Sequence, residues 1–172
     1  MAEADSAWPK AIFDALAACG VRQVAYVPDA GHRELIDRCI AAEAMETVPL
    51  TTEEEGIALL AGAWLGGHRG VLLMQSSGVG NCVNMLSLIR TCRFPLLMLV
   101  TMRGQWGEFN PWQVPMGRAT PASLELVDFL LYRVEAPEEA GTVVEAAARL
   151  AFDCARAAAV LLPQRLIGAE AF

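Results

Sequence analysis

Three consecutive glutamates, Glu53 to Glu55, stand directly before a run of apolar and small residues that ends at the pair Gly66-Gly67. Thr51 and Thr52 precede them, so the stretch fits the Ser/Thr-x-x-Glu pattern of a helix start. Such capping occupies one or two carboxylates. Because the helix that follows is apolar almost all round, a remaining carboxylate is expected in water-poor surroundings, where it is suited to proton transfer. The alternative is that the glutamates only cap the helix and have no catalytic role.

The segment SSGVGN, residues 76–81, supplies a second group of small and polar residues. It follows a buried strand and precedes a helical pattern, so its backbone N–H groups could face an anion at the helix start. It is not a dinucleotide-binding fingerprint, because Val83 stands where the third glycine would fall, and no Gly-Lys-Ser/Thr of a P-loop is present. A plain strand-to-helix connection capped by Ser77 or Asn81 is the alternative.

Two further segments place polar residues after apolar runs. In PDAGH, residues 28–32, Asp29 stands where a cap or turn residue is common, and His32 has no nucleophile and orienting acid nearby in sequence. The segment from Arg103 to Thr120 contains two tryptophans and two arginines without periodicity. An irregular segment of this length is typical of a functional loop, and its aromatics argue against disorder. We predict a binding or subunit-contact loop.

The elements that must position these residues alternate between helix and strand. Strands are predicted at 22–28, 46–50, 70–75, 95–102, 131–135 and 158–163. Helices are predicted over 6–19, 32–43, from the glutamates to 66–67, 81–92, 123–130 and 137–157. Several strands are apolar on both faces, which predicts a three-layer α/β/α fold with a mostly parallel sheet of about six strands. The ligand crevice is then expected beyond the carboxyl ends of the strands.

Composition and charge limit the functional classes. The 172 residues suit one domain over 1–172, and a mean hydropathy of +0.37 indicates a surface that a partner subunit covers. No stretch reaches the roughly 18 apolar residues of a membrane span, and no secretory pattern begins the chain, so a cytoplasmic protein is expected. A net charge of −7 without Lys/Arg clusters argues against nucleic acid, and five cysteines without CxxC spacing predict neither disulfides nor a metal site.

Four motifs, read together, carry a family resemblance. They are VPDAG at 27–31, TEEEGIALLAGAWL at 52–65, MQSSGVGNCVNMLSL at 74–88 and MRGQWGEFNPWQVPMG at 102–117. In this order they resemble the pyrimidine-binding (alpha) subunit of thiamin-diphosphate-dependent decarboxylases of the sulfopyruvate and phosphonopyruvate type. The resemblance covers roughly residues 11–172 and implies the pyrimidine-binding type of α/β fold.

The resemblance implies roles for particular residues. Glu53 is expected to hydrogen-bond the N1′ atom of the cofactor's aminopyrimidine, because the family pattern has a glycine nine positions later and Gly62 stands there. Asp29 is expected near the reacting centre as a second catalytic residue. The cofactor pocket would be lined by Glu53, Ser76, Ser77, Gly78, Gly80 and Asn81. The substrate would be contacted by His32, Arg103, Gln113 and Arg118.

The resemblance also implies a partner. Family members hold the cofactor's diphosphate through Mg²⁺ with a Gly-Asp-Gly motif in a separate domain, and no Gly-Asp-Gly occurs here. We therefore expect a hetero-oligomer in which a beta subunit binds the diphosphate and Mg²⁺, with thiamin diphosphate between the chains. The expected reaction converts an anionic 2-oxoacid, sulfopyruvate, to sulfoacetaldehyde and carbon dioxide. The alternatives are another split thiamin-diphosphate enzyme (a phosphonopyruvate-type decarboxylase or a carboligase) and a non-catalytic binding module.

Overall fold

One six-stranded sheet forms the centre of the structure, a computed structural model that describes residues 7–168. The strands are β1 (Val21–Tyr26), β2 (Glu46–Pro49), β3 (Arg69–Gln75), β4 (Leu96–Thr101), β5 (Leu130–Arg133) and β6 (Ala157–Leu162). Among these strands every pairing is parallel, in the order β2-β1-β3-β4-β6-β5. Both ends of the predicted 1–172 domain, with Ser6 of the first predicted helix, lie outside the described residues.

Helices cover both faces of this sheet. They are α1 (Ala7–Ala18), α2 (Arg33–Ala41), α3 (Glu53–Leu65), α4 (Ser76–Cys82), α5 (Ser87–Cys92), α6 (Gln113–Leu126), α7 (Ala140–Asp153) and α8 (Gln164–Ile167). Helices α1, α2 and α7 pack on one face, and α3 to α6 pack on the other. The predicted three-layer α/β/α fold is confirmed. Across residues 7–168, no helix combines the length and the apolar character that crossing a membrane requires.

The two central strands show why the apolar runs predicted the sheet. Every residue of β4 and β6 is buried. Side chains alternate between faces, so Leu97 and Leu99 enter the core beneath α1 and α7, while Leu96 and Met98 enter the core on the α3 side. Parallel strands that meet helices on both sides need apolar residues at every position. The sequence pattern therefore identified these strands directly.

The segment SSGVGN is helical, which corrects the predicted connection. Helix α4 begins at Ser76, directly after β3, and the helix predicted over 81–92 is interrupted after Cys82. The glycines suggest a turn in the sequence, but packing requires one of them. A Cβ on Gly78 would lie only 2.5 Å from Cγ of Glu53. This close contact between α3 and α4 outweighs the low helix propensity of glycine.

The segment predicted as irregular, 103–120, is a loop only in its first part. From Gln113 onward it is helical, although Pro121 lies inside the helix and removes one backbone donor. Packing again requires a glycine, because a Cβ on Gly117 would collide with the carbonyl oxygen of Arg103. The loop and the start of α6 therefore lie backbone against backbone.

Candidate active site

The carboxyl ends of three strands lie side by side at one edge of the sheet. Gln75, which ends β3, is level with Thr101, which ends β4, and Tyr26, which ends β1, pairs with Leu73. The strand order reverses between β1 and β3, because β2 follows β1 on one side and β4 follows β3 on the other. Doubly wound sheets form their ligand crevice at such a switch point. The site is assembled here.

Glu53 contributes a buried carboxylate to this edge. It is the first residue of α3 and is 8% exposed. Its Oε2 accepts a 2.9 Å hydrogen bond from Nδ2 of Asn81. Its side chain lies against the backbone of Gly78, in the space that a Cβ would fill. No donor among residues 7–168 contacts the other oxygen, Oε1. One oxygen is thus fixed, and the other is able to exchange a proton with a ligand.

The other two glutamates have different surroundings. The carboxylate of Glu55 accepts hydrogen bonds from the backbone N–H groups of Thr51, at 2.9 Å, and Thr52, at 3.4 Å. Glu54 is exposed to solvent. The capping pattern is therefore confirmed for Glu55. Glu53 does not cap the helix, because its carboxylate bonds to a side chain of α4 instead.

Asp29 faces the ends of β3 and β4. Its Oδ1 accepts a 3.0 Å hydrogen bond from Nε2 of Gln75, and its Oδ2 accepts one of 2.7 Å from Oγ1 of Thr101. Asp29 precedes the 3-10 turn Ala30–His32 but makes no side-chain capping bond to it. The carboxylate is therefore held by the sheet edge and not by the local turn.

Gln75 connects Asp29 to the second half of the site. Its Oε1 accepts hydrogen bonds of 2.8 Å from Oγ of Ser77 and from Nε2 of Gln113. Gln113 is 5% exposed, and its own Oε1 has no hydrogen-bond partner within the described part of the chain. A continuous set of side-chain hydrogen bonds thus runs from Asp29 through Gln75 to the start of α6.

The residues predicted to line the cofactor pocket do not all face the same space. Gly78 and Asn81 contact Glu53, and Ser77 joins Gln75, as described above. The fully buried Ser76 accepts a 3.0 Å hydrogen bond at Oγ from the backbone N–H of Arg103, so it connects α4 to the loop. Gly80 faces Met116, whose Sδ a Cβ would approach to 3.0 Å. Ser76 and Gly80 therefore have packing roles in this structure.

Arg103 forms a two-pronged ion pair inside the protein. Its Nε and Nη2 donate hydrogen bonds of 2.8 and 2.6 Å to the carboxylate of Glu108, and the two side chains are 10% and 4% exposed. Glu108 also accepts bonds from the backbone N–H of Gly104 and from Nε2 of Gln164, each at 3.0 Å. The Arg103 hydrogen bonds, foremost, lower the pKa of Glu108 from 4.5 to about 2.

This ion pair changes what Arg103 can offer a substrate. The bidentate face of the guanidinium contacts Glu108, so it is not open to a carboxylate or sulfonate as predicted. Arg103 does line a small cavity of about 60 Å³ together with Asp29 and Gly31. Its positive charge therefore borders the catalytic candidate Asp29 while Glu108 orients it.

The short helix α8, which the sequence pattern did not predict, anchors the loop. Oε1 of the buried Gln164 accepts 2.9 Å hydrogen bonds from the backbone N–H groups of Gln105 and Trp106. In return, Oε1 of Gln105 accepts a bond from the backbone N–H of Gln164. The guanidinium of Arg165 lies 4.0 Å from the ring centre of Trp106, a cation–π contact. The loop is thus tied to the end of β6.

Two predicted substrate contacts are not supported by their positions. His32 is fully buried, and its Nε2 donates a 3.1 Å hydrogen bond to the carbonyl oxygen of Leu99. Burial lowers the pKa of His32, so its ring is neutral at neutral pH. This geometry favours a packing role. Arg118 is exposed on α6, and it makes no hydrogen bond to the network within residues 7–168.

Sequence reasoning missed four residues that organise the site: Gln75, Thr101, Glu108 and Gln164. The first two had a readable signal, because each is a polar residue that ends an otherwise apolar strand. Such a residue at the carboxyl end of a parallel strand points into the crevice region. Glu108 and Gln164 had no comparable signal, since their partners lie in a loop without periodicity.

The fold and site define a doubly wound α/β domain with a buried carboxylate beside its switch point. Residues 9–109 match the family described as thiamine pyrophosphate enzyme, N-terminal TPP binding domain, and the chain belongs to this family. It is 34% identical to the sulfopyruvate decarboxylase subunit alpha of Methanococcus maripaludis, over 89% of this chain and 92% of that one. It is 36% identical to the same subunit of Methanothermobacter thermautotrophicus, over 89% and 93%.

Longer proteins also match. The chain is 42% identical to the phosphonopyruvate decarboxylase of Streptomyces viridochromogenes, over 66% of this chain but only 29% of that protein. A solved 2-oxoglutarate:ferredoxin oxidoreductase from Magnetococcus marinus superposes with a TM-score of 0.73 at 14% identity, over 92% of this chain and 29% of that one. At this identity the superposition shows the shared fold alone. The chain thus spans about a third of these longer proteins.

Proposed function

We propose that this chain is the alpha subunit of a thiamin-diphosphate-dependent decarboxylase of a small 2-oxoacid with a second anionic group. Sulfopyruvate is the proposed substrate, with sulfoacetaldehyde and carbon dioxide as products. The alpha-subunit relatives support this choice, because the alignments span 92% and 93% of their length. The observation that carries the proposal is the carboxylate of Glu53, which alone of the three glutamates is buried and is held by Asn81.

The surroundings of Glu53 fit the aminopyrimidine half of thiamin diphosphate. Oε1 has no donor among residues 7–168, so it is available to share a proton with the ring nitrogen N1′. Gly78 has no Cβ in the space that the Glu53 side chain occupies, so the carboxylate can lie directly against the backbone of α4. When bound, the cofactor supplies the electron sink for loss of carbon dioxide. Glu53 would hold and exchange the proton at N1′ where little water enters.

Asp29 and its neighbours would act on the substrate side. The carboxylate of Asp29 borders the small cavity that Arg103 also lines, and Gln75 and Thr101 fix its two oxygens. A carboxylate fixed in this way is suited to orient a substrate or to transfer a proton. Arg103 would provide a positive charge near the anionic substrate while remaining paired with Glu108. Gln113, at the end of the hydrogen-bond network, is the remaining predicted contact that this geometry favours.

A separate beta subunit is part of the proposal. The relatives that this chain matches over most of their length are named subunit alpha, whereas the phosphonopyruvate decarboxylase is much longer than the matched region. Large apolar side chains are exposed, with Leu65 at 87%, Trp112 at 67% and Trp106 at 55%. Exposed aromatic groups of this size are common at protein interfaces. The beta subunit would bind the diphosphate and Mg²⁺ and complete a cytoplasmic hetero-oligomer.

The test begins with recovery of the complex. The tagged chain is purified from its own cells, its bound proteins are identified, and the complex is assayed with thiamin diphosphate, Mg²⁺ and sulfopyruvate. We expect a partner with a Gly-Asp-Gly motif and release of carbon dioxide that depends on the cofactor. If phosphonopyruvate or pyruvate is turned over faster than sulfopyruvate, that compound replaces sulfopyruvate as the proposed substrate. A lone, inactive chain would favour a non-catalytic binding module.

Two matched variants then test the role of Glu53. Glu53→Gln keeps the shape and the hydrogen bond from Asn81 but removes the carboxyl group that can take up and release a proton, so turnover should fall by about 100-fold or more while the complex still assembles. Glu54→Gln makes the same change at the exposed neighbour and should leave turnover unchanged. Equal turnover in both variants and the unaltered chain would rule out the proton-transfer role.

A further inference from the structure

The chain of hydrogen bonds from Asp29 through Gln75 to Gln113 has a fixed donor–acceptor direction, which the carboxylate of Asp29 sets. An ionised carboxylate can only accept hydrogen bonds, so Asp29 requires Gln75 to present its NH₂ group. The Gln75 carbonyl oxygen then faces Gln113 and Ser77, and both must donate to it. The donor or acceptor capacity of each group therefore fixes the orientation of both amides in this network.

The last member of the network bears the consequence. Gln113 gives its NH₂ group to Gln75, so its own carbonyl oxygen is turned away from the network. That oxygen is buried and has no donor within the residues that the structure describes. Buried acceptors are nearly always paired, with protein, water or a ligand. Turning the Gln113 amide over would not resolve this, because two carbonyl oxygens would then face each other.

Asp29 is the charged group that contacts the amides directly. Arg33 and Asp37 line an open pocket together with Asp29, but both are exposed, so solvent screens their charges. Arg103 borders the same cavity, but its guanidinium is hydrogen-bonded to Glu108. His32 ends the turn that follows Asp29 and is fully buried, and burial lowers its pKa more than the negative charge of Asp29 raises it. Thr101 donates to Asp29 and adds no charge.

We infer that Gln75 is a positioning residue that ties the orientation of the Gln113 amide to the negative charge of Asp29. The Gln113 carbonyl oxygen is thereby held as an acceptor for a neutral hydrogen-bond donor, a hydroxyl or amino group of a ligand or a bound water. Because this oxygen is only an acceptor, it cannot form a hydrogen bond with an anionic oxygen of the substrate. The assignment of a substrate site rests on the proposed function. The coupling between the three side chains does not depend on it.

A double-mutant cycle on the purified chain tests the coupling through thermal unfolding at neutral pH. Gln75→Glu places two carboxylates against each other at the 3.0 Å contact, and should lower the midpoint by about 5 °C. Adding Asp29→Asn restores a donor–acceptor pair of reversed polarity and should recover more than half of that loss. Glu43→Gln is the matched control, because it makes the same carboxylate-to-amide change at an exposed position outside the pockets that Asp29 lines. Recovery by both substitutions, or by neither, overturns the inference.

A second measurement needs only a conservative variant. Asp29→Asn frees the Gln75 amide to turn over, so the side-chain NH₂ signals of Gln113 in the ¹H–¹⁵N NMR spectrum should shift, whereas Glu43→Gln should leave them in place. Unchanged Gln113 signals in Asp29→Asn overturn the inference. Absence of decarboxylase activity in the unaltered complex would refute the proposed function and leave both of these readouts unaffected.

Discussion

Replacing Gly78 by alanine tests whether the exact position of the Glu53 carboxylate matters. The added Cβ would lie 2.5 Å from Cγ of Glu53, whereas ordinary contacts of this kind begin near 3.4 Å. Packing holds the α4 backbone that bears the new Cβ in place, so the Glu53 side chain must move by close to 1 Å. A misplacement of about 1 Å of a catalytic group costs on the order of 100-fold in rate. We expect a loss of that size in kcat.

The Gly78→Ala variant should lose some stability but remain folded. Overpacking a buried contact costs about 1–3 kcal/mol, but replacing a helical glycine by alanine returns up to about 1 kcal/mol. The free energy of unfolding of Gly78→Ala is therefore expected to fall by about 3 kcal/mol at most. Gly62→Ala is the stability control, because it is a helical glycine of α3 whose Cβ would meet nothing within 4 Å.

The assay compares kcat for carbon dioxide release with chemical denaturation of the same preparations. A folded Gly78→Ala variant with unchanged kcat would refute the reasoning, because it would show that the reaction tolerates displacement of Glu53. A variant that has lost most of its stability would refute the packing estimate instead. The two results separate the position of the carboxylate from the integrity of the fold.

Two further predictions concern stability. Burial lowers the pKa of His32 from 6.5 in the folded protein, so the stability that its neutral ring contributes is complete above pH 6.5 and declines as pH falls below it. The stability that the Glu108 carboxylate contributes is complete above pH 4.5 and is lost as pH falls towards about 2. Denaturation curves across pH should show both losses. His32→Gln should remove the first loss, whereas His68→Gln, at an exposed position, should not. Ala155 has a left-handed backbone at φ 51°, so Ala155→Gly should raise the free energy of unfolding by about 0.5–1 kcal/mol. Gly20→Ala, at φ 72°, should lower it by a similar amount, and changes of the same sign in both variants would contradict this explanation.

Much of the fold could be predicted because it depends on local pattern. Apolar runs marked the buried strands, and the Thr-Thr-Glu-Glu-Glu stretch marked the start of α3. The errors occurred where packing overrides propensity. Gly78 and Gly117 look like loop residues, but they allow the close approach of the Glu53 side chain and of the Arg103 backbone. Pro121 looks like a helix stop but lies within α6. Such contacts are not visible in the sequence near the residue concerned.

The sequence by itself determined the parallel three-layer fold, the location of the crevice and the presence of one carboxylate more than capping requires. These properties follow from hydrophobic period and turn chemistry, which act over a few residues. Only the tertiary structure decided that Glu53 meets Asn81, 28 positions away, and that Asp29 meets Gln75 and Thr101, 46 and 72 positions away. Hydrogen bonds over such separations depend on how strands and helices come together, because no local pattern specifies which side chains will face each other.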